Sequence, residues 1–313
     1  MTWNKKRIFV TGATGFVGSH LVHRMNSLGA NVFALVLDEE GALPDATIFR
    51  GDVENVRDVE RAISRSKPDI IFHLAAQPLV DTAINFPHDT ILSNIMGSAN
   101  ILEASRKAGV KGVVFMSTDK VYGAYDGIVD ENFELMGTDH PYNASKLCAD
   151  ILAQMYAMVY ELKVIIVRSG NIYGGGDINF DRLIPGAIKS SINKEVFEIR
   201  SSGKLERDYL YIDDVIDAFV LFGEGIFEKQ FVPTVVNLGA EKHFSVIDVV
   251  NIISEKTGNN IPLRILDAAR FEIPFQHLDF SVAKSIGWFP KTNFENGIAK
   301  TVEWYKEFFH GEN

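Results

Sequence analysis

Cysteine is nearly absent. A single residue of this type, Cys148, stands among 313, which excludes an intramolecular disulfide framework and a multi-cysteine zinc site. It fits a reducing compartment, with the cytoplasm as the expected location. Basic side chains are also in short supply: 31 Lys and Arg face 41 Asp and Glu, a formal charge of −10. That balance denies the chain the broad basic face that neutralises a phosphate backbone, so no nucleic acid is expected as a partner. No apolar run approaches the ~18 residues of a membrane span, and MTWNKKRIFVTG reaches its first apolar run too early for a signal peptide. No membrane association is expected, and Asn143-Ala144-Ser145 is not read as a glycosylation site. The histidines (His20, His23, His73, His88, His140, His243, His277 and His310) form neither HExxH nor a Cys/His pattern. Packing or exposure accounts for them, and no metal site is expected. A Gly-x-Ser-x-Gly elbow is missing too, which leaves a serine hydrolase unsupported.

What is present is a rhythm. Apolar runs of β type (RIFVTG, NVFALVL, DIIFHLAA, GVVFMST, KVIIVRSG) alternate with helix-period segments at 16–28, 56–66, 90–108 and 142–161. Short apolar runs without strict alternation predict strands covered on both faces, and strands alternating with helices predict an α/β fold with a doubly wound parallel sheet. After Gly174-Gly175-Gly176 the chain becomes irregular and proline-punctuated, which predicts a smaller mixed α/β carboxyl-terminal lobe. The expected division is 1–175 for a dinucleotide-binding domain and 176–313 for a substrate lobe, with segments near 208–240 returning to the first sheet.

An acidic chain can still hold an anionic ligand through local donors such as helix N-termini and single Arg or Lys residues. TGATGFVGSHL offers such a place, with Gly12, Gly15 and Gly18 at a strand-to-helix turn. Glycine there lets the backbone approach a pyrophosphate and lets the helix pack against the strand, inside the βαβ context that a dinucleotide site requires. About 20 residues beyond Gly18, Asp38 ends a strand where an acid would accept from the adenosine ribose hydroxyls. No Lys or Arg stands nearby to neutralise a 2′-phosphate, so NAD is expected over NADP; the alternative is that Asp38-Glu39-Glu40 is a solvated acidic loop. Asp52, in RGDV, is a second candidate, for the adenine edge.

Tyr142 and Lys146 are spaced i, i+4, which places them on one helix face. An adjacent ammonium stabilises the phenolate, so Tyr142 is expected to have a lowered pKa and to serve as a general base; the plain alternative is a packed Tyr beside a surface Lys. Ser117, Thr118 and Asp119 end the strand FMST at the carboxyl edge of the sheet, where open α/β sheets place their ligands. The alternative for Thr118-Asp119-Lys120 is a capped turn with a surface Lys. Cys148, on the Tyr142 helix, reads as a buried small apolar residue.

TGATGFVG, STDKVYG and YNASK together resemble the extended short-chain dehydrogenase/reductase family, the NAD-dependent epimerases and dehydratases, across nearly the whole chain. LAAQPLV (74–80), STDK (117–120), PYNASKLCAD (141–150), RSGNIYGGGDINFDRLIP (168–185), DFSVAKSIGWFP and TVEWYK resemble CDP-glucose 4,6-dehydratases in particular. The resemblance implies a Rossmann-type NAD domain lined by Gly12, Thr14, Gly15, Phe16, Val17, Gly18, Asp38, Asp52, Val53, Leu74, Ala75, Ala76, Tyr142 and Lys146. It implies oxidation of a sugar at carbon 4 with Tyr142 as base, Thr118 on the hydroxyl and Lys146 holding phenolate and cofactor. Water loss then follows with Asp119, protonated when it works, as acid and Lys120 as base or base-orienting group, which for Lys120 requires the neutral form. Gln77, Thr118, Asn171, Arg182, Leu183 and Arg207 are implied on the substrate, a nucleotide-diphosphate sugar. For Arg182 and Arg207 an ordinary ion pair with nearby Asp is the alternative. A homodimer packed through the long helices is implied as well. RDYLYIDDV (207–215) departs from the CDP-glucose pattern toward dTDP- and UDP-sugar members, which leaves base and sugar open. A 4-epimerase would use Tyr142 and Lys146 without Asp119 and Lys120, and a non-catalytic dinucleotide-binding protein would be expected to lack parts of this set.

Overall fold

The computed structural model describes residues 3–37, 43, 45–125, 127–228, 233–268 and 275–311. Strands β1 (Arg7–Thr11), β2 (Asn31–Val36), β3 (Ala46–Arg50), β4 (Ile70–His73) and β5 (Gly112–Met116) join Val164–Ser169 and Val235–Leu238 in a seven-stranded sheet. All its pairings are parallel, and its order is Val235–Leu238, Val164–Ser169, β5, β4, β1, β2, β3. The continuous apolar runs are explained by what lies on the two faces. In β1, Ile8 and Val10 enter one apolar cluster and Phe9 the other; Ile70 and Phe72 are likewise divided from Ile71, and Ile165 and Val167 from Val164 and Ile166. Successive side chains point to opposite faces, so a strand covered on both must be apolar throughout.

Helix α1 (Phe16–Ser27) and helix Ile212–Glu228 cover the first face, through Leu21, Val22 and Met25 and through Val215, Phe219 and Phe222. The second face is covered by α2 (Val56–Ser66), helix Gly97–Ala108 and helix Pro141–Tyr160, through Val59, Ile63, Ile101, Ala149 and Ala153. The helix expected at 90–108 is interrupted: Pro87–Ile91 runs into a π-helical turn, Leu92–Met96, before Gly97–Ala108. Among the described residues no helix is long and apolar enough to cross a membrane.

A second sheet runs His243–Ser245, Glu206–Tyr211, Phe275–Leu278, Ile128–Val129, with Asn171–Tyr173 beside Glu206–Tyr211. Of the segment 208–240, Val235–Leu238 joins the first sheet as expected. Glu206–Tyr211 does not: it carries Arg207 and Asp208, and Asp208 is met by His243 on the neighbouring strand instead of by an apolar layer. Helix Ile212–Glu228 then carries the chain from one sheet to the other.

One buried polar network ties the two elements that approach the reacting edge. Arg168, in the otherwise apolar strand Val164–Ser169, is 1% exposed. Its Nε and Nη2 donate to Asp150 on helix Pro141–Tyr160, at 3.0 and 2.8 Å. Ser117 Oγ donates to the same carboxylate at 2.6 Å, and Arg168 Nη1 donates to the Tyr122 hydroxyl at 3.0 Å. Removing one partner of a buried pair strands the other's charge. Asp150→Asn should therefore cost about 3–5 kcal/mol in urea unfolding; a loss below about 1 kcal/mol, the size typical of surface pairs, would contradict this role.

Candidate active site

The turn between β1 and α1 is built around the space that glycine leaves. A Cβ on Gly18 would fall 2.0 Å from the Gly12 carbonyl oxygen, and one on Gly12, at φ +67°, 2.8 Å from the Ala75 nitrogen. Gly15 caps α1 without a side-chain hydrogen bond, so the amides that open the helix, from Phe16, Val17 and Gly18, are left for a ligand. Thr11 Oγ1 accepts from the amides of Leu74 and Ala75, both at 3.2 Å, which fixes the loop Leu74–Ala75–Ala76 against the turn. This cradle fits the pyrophosphate of NAD. Val53 packs against Gly97, where a Cβ would lie 2.8 Å from its Cγ2, and Asp52 Oδ1 accepts from the Glu54 amide at 2.9 Å. Thr14 is exposed in the turn itself. Asp38, the expected ribose partner, lies outside the described residues.

At the carboxyl ends of β5 and its neighbour the chain gathers Thr118, Asp119, Lys120, Tyr142 and Lys146. Thr118 caps the short 3-10 turn Asp119–Tyr122, accepting from the Lys120 amide at 3.4 Å, and its Oγ1 donates to Asp119 Oδ1 at 3.0 Å. Lys120 Nζ stands 3.4 Å from the same oxygen. Asp119 is fully buried, and its Oδ2 has no hydrogen-bond partner. Pro141 opens the helix that carries Tyr142, and His140 caps it, its Nδ1 accepting from the Tyr142 amide at 3.1 Å. Thr118 and Asp119 both act on the ionisation of the Tyr142 phenol.

The expected lowering of the Tyr142 pKa is not found. Burial of the phenol pushes it up to about 12, the Asp119 carboxylate adds to the rise, and Arg182 and Thr118 oppose it. Lys146 Nζ donates to the Met116 carbonyl at 2.7 Å. Burial in turn pulls Lys146 down to about 8, with Asp150 one helical turn away opposing the drop. The i, i+4 spacing put both side chains on one face, as expected, but did not aim the ammonium at the phenol.

The candidate substrate residues are more scattered. Arg182 caps helix Leu183–Asn193, donates to Asp177 Oδ2 at 2.9 Å and lies within electrostatic reach of Tyr142. Leu183 begins that helix. Asn171 opens the strand that pairs with Tyr209, and Arg207, buried two residues earlier, donates to the Glu206 carbonyl at 2.8 Å. The Gln77 amide nitrogen Nε2 is spent on Leu79 O and Thr90 Oγ1, at 3.0 and 3.2 Å. Cys148 corrects an expectation: it is exposed, because the inward stripe of its helix runs through Asn143, Lys146, Leu147, Asp150 and Ala153.

Several residues at the site escaped the sequence reading. Asn94, in the π-helical turn, accepts from the Gln77 amide at 2.7 Å and donates to Ser145 Oγ at 2.8 Å, tying the 74–79 loop to the Tyr142 helix. Asp208 and His243 bond at 2.6 Å, and His243 stacks on His277 with centroids 3.6 Å apart, so these histidines are held by a hydrogen bond and stacking as well as packing. The buried Tyr125 phenol is held well above its usual range by burial and by Asp119 and Asp208. The signals for such residues were the charge of Arg168 inside an otherwise apolar strand and the Glu-Arg-Asp run that opens Glu206–Tyr211.

Two outcomes follow from this geometry. Gly18→Ala should weaken NAD binding by about a hundredfold or more, about 2.7 kcal/mol, in titration calorimetry; unchanged affinity would show that the turn does not carry the cofactor. Lys146, held near 8 when folded, has an unfolded value of about 10.4, so between the two the unfolded chain binds more protons and stability rises with pH. The penalty is complete below about pH 8 and fades above it. From pH 7 to about 9.5 the wild type should therefore gain about 2 kcal/mol relative to Lys146→Met in urea unfolding, and no relative gain would contradict the burial of its charge.

The profile of the NAD dependent epimerase/dehydratase family matches residues 8–239. Across 98% of its length the chain is 32% identical to a trifunctional UDP-glucose 4,6-dehydratase/UDP-4-keto-6-deoxy-D-glucose 3,5-epimerase/UDP-4-keto-L-rhamnose-reductase of Arabidopsis thaliana. It spans about half, 48%, of the length of that plant protein and of two similar ones. It is 30% identical to the CDP-glucose 4,6-dehydratase of Salmonella typhimurium, over 99% of this chain and 93% of that protein. The crystal structure of the UDP-glucose 4-epimerase of Thermotoga maritima with UDP-glucose superposes with a TM-score of 0.88 at 28% identity, covering 96% of this chain and 99% of that one. With the glycine turn, the parallel sheet and a match spanning both, the chain belongs to the NAD dependent epimerase/dehydratase family, with NAD as its cofactor.

Proposed function

We propose that this protein is an NAD-dependent nucleotide-sugar 4,6-dehydratase, which converts a nucleotide-diphosphate hexose to its 4-keto-6-deoxy derivative. The observation that carries the reading is Asp119: a fully buried carboxylate with one oxygen unpartnered, between the Thr118 hydroxyl and Lys120 Nζ. A buried acid group without a partner is costly unless a ligand completes it. A 4-epimerase has no use for an acid and a base beside the C4 machinery, whereas water loss across carbons 5 and 6 needs both. The 30% identity to a protein named CDP-glucose 4,6-dehydratase supports the same reading and makes CDP-glucose the first substrate to try.

Gly12, Gly15, Gly18 and the amides of Phe16 and Val17 would hold the pyrophosphate of NAD, with Thr14, Asp38, Asp52, Val53 and Leu74–Ala75–Ala76 around the rest. When bound, NAD supplies a hydride acceptor for carbon 4, a hydride donor for carbon 6, and a positive charge near the phenol. Tyr142 takes the proton of the 4-hydroxyl, which Thr118 orients, and Lys146 anchors the nicotinamide ribose. The ketone acidifies carbon 5, whose proton passes to Lys120, and Asp119 protonates the leaving 6-hydroxyl. Asn171, Arg182 and Arg207 supply donors to the diphosphate, with Gln77 and Leu183 lining the sugar nucleotide.

In this reading residues 1–175, with helix Ile212–Glu228 and strand Val235–Leu238 returning to them, are the cofactor domain and the rest of 176–313 the substrate lobe, working in the cytoplasm as a homodimer. The outer face of helix Pro141–Tyr160, which exposes Ile151, Met158, Val159 and Tyr160, would be its contact. A monomer in sedimentation at micromolar concentration would remove the dimer from the proposal. The reaction itself is tested by offering the NAD-loaded protein CDP-, dTDP-, UDP- and GDP-hexoses and identifying the product by mass and NMR. A product lighter by one water is expected, and an isomer of the substrate would favour 4-epimerisation instead, the activity of the Thermotoga maritima protein. Asp119→Asn should leave hydride transfer from carbon 4 intact and slow water loss ~10²–10⁴-fold. Unchanged dehydration would take Asp119 out of the mechanism.

A further inference from the structure

We propose that Asp177 is a positioning residue for the substrate diphosphate, which holds the Arg182 guanidinium in one place and orientation before the ligand arrives. The inference rests on the reading that puts Arg182 on that diphosphate. The segment joining the two residues is braced along its length. The Asp177 carbonyl accepts from the Tyr305 hydroxyl on helix Phe294–Gly311. The Asn179 amide donates to Asp177 Oδ1 at 3.2 Å, the Asp181 amide to Asn179 Oδ1 at 3.1 Å, and the Arg182 amide to the Asn179 carbonyl at 3.1 Å. The glycines just before Asp177 lie against α1. A Cβ on Gly174 would come 3.5 Å from Phe16 Cζ, and one on Gly176 3.0 Å from His20 Cε1. The Asp177–Arg182 turn therefore follows directly on a segment packed against the helix that opens the cofactor cradle.

Arg182 Nη1 donates to Asp177 Oδ2 at 2.9 Å, and the two side chains differ in exposure, 4% for the aspartate and 38% for the arginine. The carboxylate is thus shielded from water while the guanidinium is open to it. Among the described residues no other cation pairs with Asp177. A buried charge is costly to leave without its partner, so the pair is kept when a ligand comes, and Arg182 does not trade Asp177 for it. What remains for an anion is the rest of the guanidinium fork: among the described residues Nε and Nη2 make no hydrogen bond within the protein. Those are the donors that a phosphate oxygen pair would meet. A freely moving arginine gives up rotamer freedom on meeting a ligand, whereas one already fixed has little left to lose. Arg182 is also one of the charges that act on the Tyr142 phenol, consistent with a place near the reacting groups.

Titration calorimetry of the NAD-loaded protein with CDP, dTDP and UDP reads diphosphate binding without any turnover. Asp177→Ala, or Asp177→Ser should the alanine variant fail to retain NAD, releases Arg182 and should weaken the best-bound of the three about tenfold. Asp177→Asn keeps an oxygen for both Arg182 and the Asn179 amide, and should stay within about threefold of wild type. The same Asp177 change made in Arg182→Ala, or in Arg182→Gln should the former lose NAD, should alter affinity by less than about twofold. An equal loss in both backgrounds would make Asp177 a merely structural residue. Unchanged binding would leave an idle ion pair, and tighter binding would make Asp177 a competitor of the ligand; any of these three results overturns the proposal. A wild type that binds none of the three nucleoside diphosphates at millimolar concentration would take Arg182 off the diphosphate and overturn it too. An isomeric product in the hexose assay would instead remove the dehydratase reading alone, because both reactions act on a sugar carried by a nucleoside diphosphate.

Discussion

The carboxyl edge of the first sheet is tied to helix Pro141–Tyr160 by the buried carboxylate of Asp150. Asp150 accepts from Arg168 on one strand and Ser117 at the end of another, and it sits one helical turn from Lys146. Through Tyr122 the same network reaches Asn237, where the hydroxyl donates at 2.7 Å, and so the outermost strand of the first sheet. An apolar core fixes strands and helices to within the tolerance of packing; a forked, charged pair with a third donor also fixes their register. Thr118 and Asp119 follow Ser117 directly in sequence, and Tyr142 lies two turns before Asp150.

The same burial sets the charges at rest. Tyr142 is held high and Lys146 low, so near neutrality the protein alone keeps its phenol protonated. The overall acidity of the chain leaves the amides that open α1 as local donors for an anionic ligand, in place of a general field.

Much of this was legible in the residues. Uninterrupted apolar runs forecast a sheet covered on both faces, and the three glycines after β1 stand where a Cβ would strike backbone. Thr118, Asp119, Lys120, Tyr142 and Lys146 do come together. What spacing did not reveal was direction: i, i+4 fixed the face shared by Tyr142 and Lys146 but not the turn of the ammonium toward Met116. Cys148 was misjudged because a twenty-residue helix with a mostly apolar sequence has an outer face as well as an inner one. Asn94 gave no sign at all, since a π-helical turn shifts phase by one residue without altering composition. Nor did the strand Glu206–Tyr211 announce its own sheet, although its Arg-Asp pair was out of place for a strand between apolar layers.

The most direct measurement is the fate of the carbon-5 hydrogen. With the NAD-loaded wild type and its nucleotide hexose in deuterated water, elimination and return predict a product short of one water and carrying solvent deuterium at carbon 5, visible by NMR. A product isomeric with the substrate, with carbon 5 still fully protonated, would contradict the dehydratase account.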